Sequence, residues 1–194
     1  MNKLNHEEQL YKIFNNVNDW LKFAEAKNFG LLTLNAAIVF GLTQISFGDN
    51  NVIKTVGFYV FVPFSILSFL PCLISLFPIV TKIESKNKKG KIRNSMKFIN
   101  YLSNKIDEDK PFENIHFYGY LKDLKEDKFE EEFLKKIGSA DKFTKYETEL
   151  ATQILYNSRI TSLKYKFFKI GAFLFFLGII ISVFALPLIK IFKY

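Results

Sequence analysis

Charge is absent from three long stretches of this chain and crowded into the rest. Asn28–Gly48 lies between Lys27 and Asp49, Thr55–Thr81 between Lys54 and Lys82, and Ile170–Ile189 between Lys169 and Lys190; none contains Asp, Glu, Lys or Arg. Each reaches the length of about 20 apolar residues that a helix needs to cross a hydrocarbon core. A helix of a soluble bundle would show a polar face every 3.6 residues, yet Ala172–Leu186 has Ser182 as its only polar side chain. The pattern predicts an all-α integral membrane protein with three transmembrane helices. The first two (28–48 and 55–81, together 28–81) form a hairpin through a turn at Gly48, Asn50 and Asn51, and the third occupies 167–191. The first span is the polar one, interrupted by Asn28, Thr33, Asn35 and Gln44, and the second carries Pro63, Pro71 and Pro78 with Ser65, Ser68 and Ser75.

Outside the spans the apolar residues recur at helical spacing instead of running together. Leu10, Ile13, Phe14, Val17, Leu21 and Ala24 predict an amphipathic helix over 1–27 that runs into the first span. That segment carries Lys3, Glu7, Glu8, Lys12, Asp19 and Lys22 and lacks the apolar stretch of a cleavable signal peptide. In the region 82–166, Ile92, Met96, Ile99, Leu102 and Ile106 predict a helix over 91–106. Pro111, Asn114 and Gly119 predict a turn, and an acidic helix follows from about Lys125 until Gly138-Ser139 breaks it. From Asp141, the positions Phe143, Tyr146, Leu150, Ile154, Asn157, Thr161 and Tyr165 follow one face of a long helix. No proline or glycine interrupts it before Gly171, so it is expected to continue into the third span.

The distribution of positive charge sets an orientation. Lys82, Lys86, Lys88, Lys89, Lys91 and Arg93 follow the second span, and Arg159, Lys164, Lys166 and Lys169 precede the third. Cationic loops stay on the cytoplasmic side, so the N-terminus and 82–166 are expected inside and the C-terminus outside. The 82–93 cluster reads as a membrane-surface anchor at an anionic leaflet.

Candidate chemistry is mostly non-catalytic. A glycine-rich phosphate loop, a Gly-x-Ser-x-Gly elbow, His-Glu-x-x-His and Cys-x-x-Cys pairs are all missing. Cys72 is the single cysteine, and His6 and His116 stand without ligand-spaced neighbours, so no metal and no cofactor is expected. The chain is therefore not expected to be an enzyme. Arg159 is the more informative cation. It lies 11 residues before Ile170, about 16 Å along a helix at 1.5 Å per residue, beyond a Debye length of ~8 Å. With Gln153, Asn157, Lys164 and Lys166 it forms a candidate signal-binding face on the long helix. Lys27, Asn28, Asn35 and Gln44 are candidates for a pore or gate, because amides at membrane depth need partners on other helices or line a polar path.

Three ordered blocks carry a resemblance. Asp19-Trp20-Leu21-Lys22-Phe23-Ala24-Glu25-Ala26-Lys27 leads into Leu31-Leu32-Thr33-Leu34-Asn35-Ala36; Asn114-Ile115-His116-Phe117-Tyr118-Gly119-Tyr120-Leu121 follows; Glu149 to Ile154, Asn157 to Ile160 and Lys164-Tyr165 close the set. Together they resemble the Pycsar membrane effectors, within the wider group of nucleotide-signal-gated antiphage effectors that includes the Hailong membrane effector. The resemblance implies an antiphage effector of the bacterial inner membrane. Its signal would be a nucleotide second messenger or short oligonucleotide made by a partner cyclase or nucleotidyltransferase. It would act as a homo-oligomeric pore, or by disrupting the lipid bilayer and depolarising the cell. Phe117, Tyr118, Tyr120, Tyr146 and Tyr156 are aromatics on which bases can stack, although in a chain of 17% aromatics core packing accounts for most of them. The alternative is a non-conducting membrane scaffold that recruits a protein partner through its cytoplasmic helices.

Overall fold

The computed structural model describes residues 4–44, 56–77 and 113–192, with side chains over 6–44, 56–77 and 113–187. Every regular element among them is helical. They are α1 (Leu4–Gln44), a π-helical turn (Gly57–Phe61) that passes into α2 (Val62–Leu76), α3 (Tyr118–Leu121), α4 (Glu126–Ile137) and α5 (Lys145–Phe192). Three of these are long and apolar enough to cross a membrane, over His6–Gln44, Gly57–Leu76 and Lys145–Pro187. The all-α membrane architecture read from the sequence is thus the architecture observed. The turn at 48–51, the helix expected over 91–106, and Lys82, Lys86, Lys88, Lys89, Lys91 and Arg93 lie outside the described residues.

The chain divides into two compact units, 1–24 with 79–165 and 25–78 with 166–194; α1 and α5 contribute to both. In the first unit, the stripe Leu10, Ile13 and Val17 of α1 meets Leu150, Ala151, Ile154 and Leu155 of α5. Ile115, Leu121 and Leu124 from the segment around α3, and Phe129 and Phe133 of α4, complete this core. These are the helically spaced apolar positions, buried because each helix has one apolar face and water on the other.

Local signals fix where the elements of this unit begin and end. Helix α4 opens on Glu126 and Asp127 and closes on Lys135 and Lys136, charges that suit the two ends of a helix dipole. It stops at Gly138, whose φ of 66° is left-handed, and the Ser139 N–H donates to the Leu134 carbonyl, the bond of a Schellman ending. Helix α5 begins at Lys145, later than the periodicity from Asp141 suggests, because Thr144 caps it. The Thr144 N–H donates to Glu147 Oε2 at 2.6 Å, and the Glu147 N–H donates to Thr144 Oγ1 at 3.2 Å. This reciprocal pair is a capping box. Its Glu147 is buried and also faces His6, with Nδ1 3.5 Å from Oε1, so one carboxylate ties the start of α1 to the start of α5.

The second unit is built the other way out. Its core holds Leu31, Phe61, Cys72 and Phe175, flanked by Leu32, Ile38, Leu42, Phe168, Ala172 and Ile179. Its buried residues also include Asn28, Asn35, Ser65, Ser68 and Ser75, while Ile66, Leu70, Phe173, Phe176, Ile180 and Phe184 are exposed. Large apolar side chains outside and amides and hydroxyls inside suit hydrocarbon as the solvent. The prolines of the second run act at its ends and centre. Pro63 stands in the first turn of α2 beside the π turn, where its missing N–H removes an α-type bond. Pro71 is buried within α2. The described helix ends at Leu76, where Phe77 turns to extended backbone at ψ 140°, as a residue before a proline prefers.

Gly138 provides a check on this local logic. Gly138→Ala forces a β-carbon into a left-handed position and is expected to cost about 1 kcal/mol. Amide hydrogen exchange of the peptide spanning 129–139 should accelerate, with peptides of the membrane helices unchanged.

Candidate functional site

The five candidate signal-binding residues sit in different surroundings. Gln153 is exposed on α5. Asn157 Nδ2 donates to Asn18 Oδ1 at 2.8 Å, which ties α5 to α1. Arg159 points to the segment after α3: its Nε donates to the Lys122 carbonyl at 3.2 Å and its Nη2 to the Leu124 carbonyl at 3.0 Å. Lys164 is only 4% exposed, and Lys166 is half-buried and belongs to the second unit. Asn157 and Arg159, two residues apart, project roughly 200° from one another around the helix. The structure therefore does not gather the five into one cationic pocket. Instead, Arg159 donates to two main-chain carbonyls of the segment just beyond α3, those of Lys122 and Leu124.

The stretch that leads into this segment joins an aromatic cluster. The short helix α3 carries Tyr118, whose ring stacks on Tyr165 of α5 with centroids 5.2 Å apart and planes within 11°. Trp20 of α1 lies 5.6 Å from Tyr118, 6.2 Å from Phe117 and 6.5 Å from Tyr165. The turn that delivers these rings is held from both sides. The His116 N–H donates to Asn114 Oδ1 at 2.9 Å, and the Phe117 N–H to the Asn114 carbonyl at 2.9 Å. Asn16 of α1 donates from Nδ2 to the His116 carbonyl. A β-carbon on Gly119 would lie 2.4 Å from the Phe117 ring, so the fold of the turn calls for glycine there. Among the other aromatics expected to stack, the Tyr120 hydroxyl donates to Glu132, and Tyr146 meets the Tyr11 hydroxyl. The Glu132 carboxylate beside Tyr120 pushes its phenol up to about 12. Trp20 and Tyr165 join this cluster although the sequence pattern does not mark them as stacking aromatics. Their place in the resemblance blocks, and Trp20 being the only tryptophan, were the available signals.

The candidate gate residues divide similarly. Lys27 Nζ lies 5.5 Å from the centroid of the Phe168 ring, a cation–π contact. Asn28 and Asn35, two turns apart on α1, are both buried, and Gln44 is exposed at the end of the helix. Asn35 is the centre of a closed network. Its Nδ2 donates to the Leu31 carbonyl at 2.9 Å and to Ser68 Oγ at 3.1 Å; Ser65 Oγ donates to Asn35 Oδ1 at 2.7 Å; Ser68 Oγ donates to the Gly171 carbonyl at 2.8 Å. One chain of hydrogen bonds thus links α1, α2 and α5. No His, Cys, Asp and Glu grouping suited to a metal occurs among the described residues.

His116 gives this region a pH dependence. Desolvation and the nearby Lys136 ammonium hold its imidazole below the ordinary histidine range. A group with a depressed folded pKa binds fewer protons folded than unfolded, so stability falls as pH drops through the ordinary histidine value towards the folded one. Thermal unfolding monitored through Trp20 fluorescence should show a lower midpoint on the acid side of about pH 6.5. His116→Gln should reduce that acid-side loss.

No curated protein and no solved structure matches this chain. A family model described as the Pycsar effector protein domain matches residues 9–189. The match runs through all three apolar helices, both compact units, the aromatic turn and the Asn35 network. This chain belongs to the Pycsar effector family, and it is a membrane effector of antiphage defence.

Proposed function

We propose that this effector is switched by a nucleotide-derived signal, a cyclic nucleotide or short oligonucleotide made by a partner cyclase or nucleotidyltransferase. Its switched state impairs the bacterial inner membrane as a homo-oligomeric pore or membrane-disrupting assembly, and so stops or kills the infected cell. The N-terminus and 82–166 face the cytoplasm and the C-terminus faces outside. The observation that carries this reading is α5. A single helix bears Gln153, Asn157, Arg159 and Lys164 and then runs on as an uncharged span, so an event on its first half can be transmitted along hydrogen-bonded backbone. Three spans cannot by themselves enclose a conduit, and the buried polar groups of the membrane unit are packed against one another, so a path for ions requires more than one copy.

The signal reads the first unit at the surface of α5 around Gln153 and the aromatic turn. Arg159 holds the segment that follows α3 through the Lys122 and Leu124 carbonyls and supplies the positive charge nearest that surface for phosphates. Lys27, Asn28, Asn35 and Gln44 lie along the first span as the polar residues of the pathway.

Purified chain in liposomes, tested for ion flux with 3′,5′-cyclic nucleotides and with short DNA oligonucleotides, checks the proposal. One class of ligand should change the flux by about tenfold, a coupling of about 1.4 kcal/mol, within the usual allosteric range. No flux under any of these ligands would remove the reading. Gln153→Ala should weaken the response without lowering stability. Arg159→Ala should do both, since each hydrogen bond from a charged donor contributes about 1.5–3 kcal/mol. A normal response from both variants would show that the signal is read elsewhere.

A further inference from the structure

We propose that the contact of α5 with α2 at Gly171 is the latch that holds the membrane unit closed, and that opening separates these two helices there. The inference rests on the reading that this effector permeabilises the membrane, and it assigns the step that would do so.

The two helices meet at the limit of approach. A β-carbon on Gly171 would lie 2.7 Å from Cys72 Sγ, 3.1 Å from the Ser68 carbonyl oxygen and 3.2 Å from Leu31 Cδ2. Seven residues on, one on Gly178 would lie 2.6 Å from Phe64 Cβ. Positions seven apart fall on one stripe, so the contact extends over two turns of α5. Close approach of this kind is available only to small residues, and it brings the Gly171 carbonyl within reach of the Ser68 hydroxyl.

That hydroxyl is also the acceptor for Asn35, which in turn accepts from Ser65. The amide, two hydroxyls and the carbonyl are all inside the unit, with Asn35 1% exposed and Ser68 fully buried. They satisfy each other, so the closed unit has no need of water at that depth. Moving α5 away from α2 takes the Gly171 carbonyl from Ser68 and leaves Ser65, Ser68 and Asn35 facing the gap. Polar groups uncovered at membrane depth must find water. The parting of one contact therefore turns a dry seam into a hydrated strip between walls that are otherwise apolar. Hydrogen bonds between membrane helices are individually weak, which suits a latch that a ligand has to release.

Cys72 makes the proposal testable with a reversible bond. It is the chain's only cysteine, and its Sγ stands 2.7 Å from where a β-carbon at 171 would be, within reach of a disulfide. In the full-length Gly171→Cys chain, diamide should oxidise the two thiols to a disulfide, taking up both hydrogens and both electrons, and dithiothreitol should restore them. Flux from liposomes is measured with the four common 3′,5′-cyclic ribonucleotides and with short DNA oligonucleotides, under both redox conditions. The expected result is loss of flux in the bridged chain; on reduction evoked flux returns and flux without ligand exceeds the parent's, because the added side chain at 171 crowds the Ser68 carbonyl; the unsubstituted chain is indifferent to diamide. Ser68→Ala, which removes the hydroxyl without adding bulk, should raise flux in the absence of ligand severalfold. A bridge confirmed by mass spectrometry that leaves evoked flux intact would overturn the latch while leaving the proposed function standing. Thiols that never bridge, with Ser68→Ala behaving as the parent, would overturn it too. If neither the parent nor Ser68→Ala conducts under any ligand, the proposed function fails and the latch with it.

Discussion

A polar side chain placed in hydrocarbon has only the protein to bond with, and that constraint organises the membrane half of this chain. Asn35 cannot be hydrated where it lies, so its position is compatible with folding only if α2 brings hydroxyls to it. Ser65 and Ser68, three residues apart on one face, do so at 2.7 and 3.1 Å. Ser68 can serve Asn35 as acceptor and Gly171 as donor together because a hydroxyl has both capacities. The glycine follows from the same requirement: a larger residue at 171 would hold α5 too far away for its carbonyl to be reached. An amide on the first helix thus dictates hydroxyls on the second and a missing side chain on the third.

In the other unit the solvent is water and the sign of the patterning reverses. Leu10, Ile13 and Val17 are inside and Glu7, Glu8 and Lys12 are not. Both long helices must change pattern without changing conformation, from one apolar stripe to apolar nearly all round. Helix α5 makes the change between Tyr165 and Ile170, where Lys166 and Lys169 still carry charge and Gly171 already sits in the seam. Continuous backbone hydrogen bonding allows it, since a helix satisfies its own main chain in either solvent. The same continuity leaves no loop along α5 to absorb a displacement of its first half.

Much of this was legible in the chain itself. The absence of charge over three runs located the apolar helices, and the period of Leu10, Ile13 and Val17 located the inner face of α1, while the Thr144–Glu147 cap that starts α5 went unread behind the periodicity from Asp141. The candidate site was less legible. Arg159 stands in the sequence as a lone cation beyond the reach of the bilayer, a fair candidate for an anionic ligand. Its carbonyl partners are at 122 and 124, backbone groups that no side-chain pattern announces. Trp20, Tyr118 and Tyr165 form one cluster from three separate segments, and only the tertiary fold brings them together. Gly171 reads in sequence as one more small residue in an apolar run. Its role is visible only when Cys72, Ser68 and Leu31 are seen around it. Local chemistry with a fixed spacing can be read in advance; contacts that depend on which helix faces which cannot.

The energetics of the seam also bear on how such an effector can be both safe and releasable. Three of its hydrogen bonds run between helices, and at an average of about 0.6 kcal/mol each inside a bilayer they contribute roughly 2 kcal/mol. Holding a two-state protein closed at about 100:1 takes about 2.7 kcal/mol. Parting α5 from α2 breaks only the Ser68–Gly171 bond, about 0.6 kcal/mol of that figure, so the close packing at Gly171 and Gly178 supplies the larger share through dispersion contacts on the same interface. On the proposed function, a much stronger seam would be beyond the 1–3 kcal/mol that ligand coupling commonly delivers, and a much weaker one would leak without a signal. Weak interhelical bonds, a close glycine contact and a polar strip hidden between them are therefore what the constraints of silence and release jointly favour.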